Sequence, residues 1–310
     1  YLKSYIANPN LGVFFWASYD FMYSKDLSEQ KTGLTRYGFG DTTNCNVDTH
    51  TYIHEMGHTF GLEDYYDYSN YCYKPAGEFS MQDENVGGHD PYSVMSLGWA
   101  NPYIPRSSQT MKIRPFSTSG DLILLTPEWN EYDSAFDEYL LLELYTPTGL
   151  NEFDTMYQYK SRKTGPTEVG IRLWHVDARL AYYGRNNFTL SKPDGFTENP
   201  NCTSGNVYLM QSNTYYDENE DGHLSPLGKN YYNFNLLQLI RNNVEETYAP
   251  LTPMSNGSLF KENSSFDIYT FRNQFVNGNR SQLNRGLTFG WTFTVDSCDS
   301  SGATITVTRA

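Results

Sequence analysis

Apolar and polar positions change rhythm twice along the 310 residues. Residues 11–23, LGVFFWASYDFMY, are apolar and aromatic, and predict a buried strand or helix. A polar, glycine-rich stretch follows, SKDLSEQKTGLTRYGFGDTTNCN. Then VDTHTYIHEMGHTF takes up a helical period, with Asp48 or Thr49 as N-cap and Gly61 as C-cap. At about 100° per residue, Ile53, Met56 and Phe60 fall within roughly 60° of one another and predict a core-facing stripe. His54 and His58 lie on its flank, about 40° apart, so both point the same way. Gly57 sits between them and the stripe, where a packing partner can come close.

From about residue 106 the period shortens. TMKIRPF, GDLILL, EYLLLELY, VGIRLWHVDARL, NVYLMQ, LTFGWTFTVDS and ATITVT read as strands, and SCDSSGATITVT as a terminal hairpin. The pattern predicts an α+β protein with a largely β, sandwich-like second half. The boundary is expected near WANPYIPRSS. Residues 1–105 then carry the helix, and 106–310 form a β-rich region that either completes the first domain or stands as a separate sandwich.

Composition narrows the function classes. Hydrophobic residues at 38% and charged residues at 19% suit a folded chain of one large or two ordinary domains. The formal charge of −14 argues against nucleic acid, whose phosphates an acidic surface repels. No apolar run of about 18 residues predicts a transmembrane helix. The opening YLKSYIANPN has no initiator Met and no signal-type apolar core, and reads as a mature fragment of a longer precursor. The four cysteines, Cys45, Cys72, Cys202 and Cys298, contain no CxxC pair, which argues against a cysteine zinc site and leaves two, one or no disulfides open. A Cys45–Cys72 bond would staple the loops around the helix.

The chemistry concentrates in HEMGHTFGLED, residues 54–64. Two histidines at i and i+4 on one helical face can hold Zn²⁺ through neutral imidazoles. The residue after the first histidine, Glu55, then reaches a water at the metal and serves as general base and acid. Gly61 stops the helix three residues after His58 and lets the chain swing back. Asp64 can thereby become the third ligand, with Glu63 and Asp67 as competitors. A second cluster, DENEDGHLSPLG, puts Asp217, Asn219 and Asp221 at positions 1, 3 and 5 of a calcium-loop pattern, but Gly228 stands where a bidentate Glu belongs. His175, beside Asp177 in a strand pattern, reads as a hydrogen-bonded core or rim histidine. Five N-x-S/T triplets begin at Asn187, Asn201, Asn256, Asn263 and Asn279, as chance allows in an Asn-rich chain.

The order HExxHxxGxxD resembles the zinc-binding helix of the metzincin clan, and most closely that of the immune inhibitor A family of secreted bacterial metallopeptidases. That family has an Asp where most metzincins have a third His. AGEFSMQDENVGGHDPYSVMSLGWANP, VGIRLWHVDARL and NFNLLQLIRNN are similar to later blocks of the family, so the resemblance spans roughly residues 11–245. It implies a metzincin-like catalytic module and an extracellular zinc endopeptidase acting on protein or peptide substrates, with bound Ca²⁺ common. It also implies a methionine floor beneath the metal, for which Met81 fits the family's block order, while Met95 reads as a core residue packed with Tyr92, Leu97 and Trp99. Only 53 residues precede His54, fewer than metzincin catalytic domains usually have, so the fold is either compact there or lacks an N-terminal portion. Tyr65, Tyr66 and Tyr92 are candidates for stabilising an oxyanion. A competing reading is a β-rich adhesin or glycan-binding module that keeps a structural zinc site. The intact Glu55 speaks against it, because a structural site needs no base.

Overall fold

A computed structural model describes residues 18–21, 36–39, 49–67, 72–130, 134–159, 162–183, 197–198, 206–209, 211–213 and 234–310. The protein is a mixed helix-and-sheet structure with antiparallel sheets, of the α+β class. It forms two compact units, Tyr1–Asp64 and Tyr65–Ala310. No helix among the described residues is long and apolar enough to cross a membrane.

In the first unit, β1 (Ser18–Phe21) pairs antiparallel with β2 (Arg36–Phe39), with Ser18 opposite Phe39. Helix α1 (Thr49–Thr59) packs against both strands. Its orientation corrects the periodicity argument. Ile53, Met56 and Phe60, expected in the core, are 46%, 52% and 57% exposed. The buried face carries His50, His54, Gly57 and His58 instead. Burying imidazoles is tolerated where their nitrogens are bonded, and the bonds described below supply this at His54 Nε2 and at both nitrogens of His58.

The second unit is built on sheets. Its described elements begin with helix α2 (Pro91–Ser96) and β3 (Gln109–Ile113). The short helix α3 (Phe116–Ser119), β4 (Ile123–Leu125) and β5 (Glu138–Tyr145) follow. Next come helix α4 (Glu152–Met156), β6 (Gly170–Asp177) and β7 (Leu180–Tyr183). Strands β8 (Thr197–Glu198), β9 (Asn206–Leu209) and β10 (Leu237–Ile240) lie beyond them. The chain closes with β11 (Ser265–Asp267), β12 (Trp291–Asp299) and β13 (Gly302–Arg309). One four-stranded sheet has the order β10-β6-β5-β4, another β11-β12-β13-β3, and a three-stranded sheet β8-β7-β9.

Side-chain parity explains how these sheets layer. EYLLLELY is apolar on both parities, so β5 must be covered on both faces, and every residue in it is buried. Leu140, Leu142 and Leu144 share one core with Trp291, Phe293, Val295, Ile305 and Val307 of the other four-stranded sheet. Tyr139, Leu141 and Tyr145 share a second core with Tyr65, Phe79, Tyr92 and Met95. Residues before and after position 105 therefore contribute to one cluster. In β12 the alternation is clean: Trp291, Phe293 and Val295 are buried, while Thr292 and Thr294 are exposed. The two four-stranded sheets thus face each other as a sandwich.

Polar groups inside this core are paired. Glu143 is fully buried, with Arg172 Nε 2.7 Å from its Oε1 and the Trp174 indole donating to it at 2.8 Å. His175 is a core residue, its Nε2 2.9 Å from Glu138 Oε1, and Glu138 also accepts from the Asn284 and Arg285 amides. Asp90 caps α2 by accepting from the Ser93 amide at 2.9 Å, with Pro91 opening the helix. Trp99, expected to pack beside Tyr92, is 60% exposed. Helix α2 ends at Ser96, and Gly98, at φ 73°, turns the chain before Trp99 can reach the core. Cys298 is a free thiol in β12, and Cys45 and Cys202 lie outside the described residues.

Phe260 tests the sandwich core. It is fully buried, with ring centroids 5.4 Å from both Phe271 and Phe293. Phe260→Ala is expected to cost about 3–5 kcal/mol, read from urea denaturation. Leu251→Ala, at a position 62% exposed, is expected to change stability by less than about 0.5 kcal/mol. Equal losses in the two variants would refute the described layering.

Candidate metal centre

The centre is assembled by the end of α1. Gly61 has φ 96°, a left-handed conformation that costs a residue with a Cβ roughly 1–2 kcal/mol. Leu62 N donates to Gly57 O at 3.0 Å, and Gly61 N donates to His58 O at 2.9 Å. These two bonds form a Schellman motif, which satisfies the last helical carbonyls and reverses the chain. The reversal carries Asp64 back beside the histidines.

Three donor atoms then converge. Asp64 Oδ1 lies 2.8 Å from His54 Nε2 and 3.2 Å from His58 Nε2, and the two Nε2 atoms are 3.1 Å apart. A tetrahedral shell with bonds of about 2.0–2.1 Å separates its donor atoms by roughly 3.3 Å. The triangle observed therefore has the size of one face of such a shell. His54, His58 and Asp64 together can hold a metal ion.

Tautomers strengthen the fit. His58 Nδ1 lies 2.8 Å from the Leu62 carbonyl oxygen, which only accepts, so Nδ1 carries the hydrogen. In the neutral ring Nε2 then presents a lone pair toward the Asp64 carboxylate. Two lone pairs at 3.2 Å repel unless a cation or a proton sits between them. A buried carbonyl fixing the tautomer of a ligating histidine is the usual outer support of metal sites. The electrostatics agree. Burial works against a charged His58, but the hydrogen bond and charge of Asp64 outweigh it, and the imidazole titrates above its ordinary value. Burial also opposes the Asp64 charge, but hydrogen bonds from His54 and His58 hold its carboxyl well below the usual range. Glu55 is half-buried and pushed up by burial, an effect that His58 and His54 reduce and Asp64 adds to.

The other expected residues differ in burial and in partners. Glu63 is exposed and Asp67 Oδ2 accepts from the Tyr73 amide at 3.1 Å, while the carboxylate grouped with both histidines is that of Asp64. Met81 is 2% exposed and Met95 7% exposed, both within the second unit. Tyr65 is fully buried with its hydroxyl 2.9 Å from Ser93 Oγ. Tyr92 is also buried, and Tyr66 is half-buried. The calcium-loop candidates Asp217, Asn219 and Asp221 lie outside the described residues.

Two contributors escaped the sequence reading. His50 sits one turn before His54, buried, with ring centroids 5.3 Å apart. Its signal was legible as a third histidine at i−4. The Leu62 carbonyl was not legible, because a main-chain atom has no letter of its own.

The raised His58 value makes a signed prediction for metal-stripped protein. Its contribution to stability is fully present below the ordinary 6.5 and is lost as pH rises through the raised value. As pH rises from below 6.5, the thermal midpoint of the unaltered chain should therefore fall more steeply than that of His58→Gln. Parallel profiles would remove the His58–Asp64 coupling. No protein-family model matches this chain, and no curated protein matches it.

Proposed function

We propose that the protein is a secreted zinc endopeptidase that hydrolyses protein or peptide substrates. One observation carries the reading: Glu55 stands on the same turn of helix as a His54–His58–Asp64 triangle sized for one metal ion. Three protein ligands leave a fourth position open, which is the arrangement of catalytic rather than structural zinc. A bound zinc supplies Lewis acidity to a peptide carbonyl and acidifies water. Glu55 takes a proton from the attacking water at its carboxylate and passes it to the leaving amine nitrogen. Its raised proton affinity suits that shuttle, since a carboxyl too acidic would not hold the proton between steps. His58 is held in the ligating tautomer by Leu62, and Asp64 offers a carboxylate that stays ionised.

The resemblance of HExxHxxGxxD to the immune inhibitor A family supports the same reading, including a metzincin-like arrangement and an extracellular, bacterial setting.

Glu55→Gln should retain one equivalent of zinc and lose roughly 10²–10⁴-fold in casein or peptide hydrolysis. Asp64→Ala should lose zinc by metal analysis and lose hydrolysis with it. Full activity in Glu55→Gln, or fully zinc-loaded unaltered protein that cleaves nothing in a casein mixture and a peptide library, would overturn the peptidase. The second result would turn the reading toward a β-rich binding module.

A further inference from the structure

Residues 74–87 of the second unit hold neither helix nor strand, yet positions 75–83 are all buried. They cover the edge strand β10, whose Leu239 amide donates to the Pro75 carbonyl at 2.9 Å. The Lys74 amide donates to Pro250 O at 2.7 Å, and Gly77 O accepts from the Met254 amide at 2.9 Å. Glu78 sits at φ 68°, a left-handed conformation that is costly for a residue with a Cβ. Irregular chain held on a sheet by a few bonds and against local strain is what opens first, ahead of the whole fold.

The stretch is rich in buried acid. It carries Glu78, Asp83 and Glu84, and it meets Asp154 of α4 through Asn85 Nδ2 at 2.8 Å and the Val86 amide at 2.9 Å. Lys74 pairs with Glu78, and Arg162 pairs with Glu84 at 2.8 Å. Asp83 and Asp154, 3% and 6% exposed, form no ion pair among the described residues. Lys163, Tyr157 and Tyr159 line the same cleft, while Arg172 acts on Asp154 and Glu78 on Arg241 from a greater distance. The Glu78 and Glu84 carboxyls are hydrogen-bonded to each other. Ionised carboxylates only accept, so that bond needs a proton between the two. The electrostatics agree: burial raises Glu84, Arg162 opposes the rise, and Glu78 adds to it. Burial and the Glu84 charge push Asp83 up as well. A raised carboxyl contributes stability that is fully present below its ordinary value, 4.5 for Glu84, and is lost as pH rises through the raised one.

We propose that residues 74–87 form a pH-operated latch on β10, held shut by the proton shared between Glu78 and Glu84 and loosened when that proton leaves. The two carboxylates then repel across the bond they have lost, and the new charge also acts on Asp83, whose Oδ2 accepts from the Glu78 amide at 2.8 Å. The stretch lifts from the sheet edge and uncovers Ala76 and Phe79, which it buries in the closed state. Strand β12, in the other four-stranded sheet, carries none of these carboxyls, so the opening is local. The latch does not depend on the peptidase reading.

Amide hydrogen exchange of the whole chain tests this, read by mass spectrometry on peptides from 74–87 and from β12 and corrected for the intrinsic pH dependence of exchange. As pH rises from 4.5, protection of 74–87 should fall several-fold while that of β12 stays level. Glu84→Gln gives Glu78 a donor that no pH removes, so its protection should hold level over the same range. A merely structural Glu84 would instead lower protection alike at every pH. Asp83→Asn keeps an acceptor for the Glu78 amide and removes one buried charge, so its fall should be shallower than that of the unaltered chain. Should Glu84→Gln not fold, the slope of Asp83→Asn decides. Protection in the unaltered chain that does not change with pH overturns the latch. So does a fall as steep in the variants as in the unaltered chain, or a fall shared equally by β12, which is global unfolding.

Discussion

The left-handed turn at Gly61 governs the geometry of the candidate metal centre. A helix that continued past His58 would carry each later carboxylate around its axis and away from the histidines. The turn instead ends the helix, caps its carbonyls through the Leu62 and Gly61 amides, and returns Asp64 within 3.2 Å of both imidazoles. The same reversal sets the Leu62 carbonyl against His58 Nδ1. The place of Asp64 and the His58 tautomer are thus fixed by one backbone conformation, which glycine adopts without a Cβ clash.

In the second unit the governing constraint is double-sided burial. Strands β5 and β6 are buried along their whole length, so each polar residue they carry needs a partner inside. Glu143 finds Arg172 and Trp174, Glu138 finds His175 and two backbone amides, and Asp177 accepts from Arg179 and Asn284. Several of these bonds run between β5 or β6 and the Asn284–Arg285 segment, so the ionic core also fastens a loop that no strand ladder holds.

Much of this was legible in the letters. EYLLLELY spans β5 residue for residue, and WTFTV announced a half-buried strand by its alternation. The histidine spacing and Gly61 pointed to the His54–His58–Asp64 triangle, because both follow from helix geometry. The inward face of α1 was misread, since periodicity ranks residues by apolarity and cannot see that His54 and His58 acquire buried partners. Trp99 was misread because the stop after Ser96 depends on Gly98 adopting a positive φ. The hydrogen bond from Asn85 to Asp154 had no local signature, because the two residues are 69 positions apart and only the fold brings them together.

The pairing of β13 with β3 has a consequence for how the protein is made. Ala303 lies opposite Ile113, and the partnership runs on to Val307 opposite Gln109. The two strands are separated by nearly the whole second unit. During synthesis β3 leaves the ribosome long before β13, and waits through the intervening residues for its hydrogen-bonding neighbour. Such distant closure is slow, and until it happens the inner faces of both sheets are open to water and to other chains. The β11-β12-β13-β3 sheet therefore closes only once β13 is available, and the interval between the two strands is the one in which its inner face lacks cover.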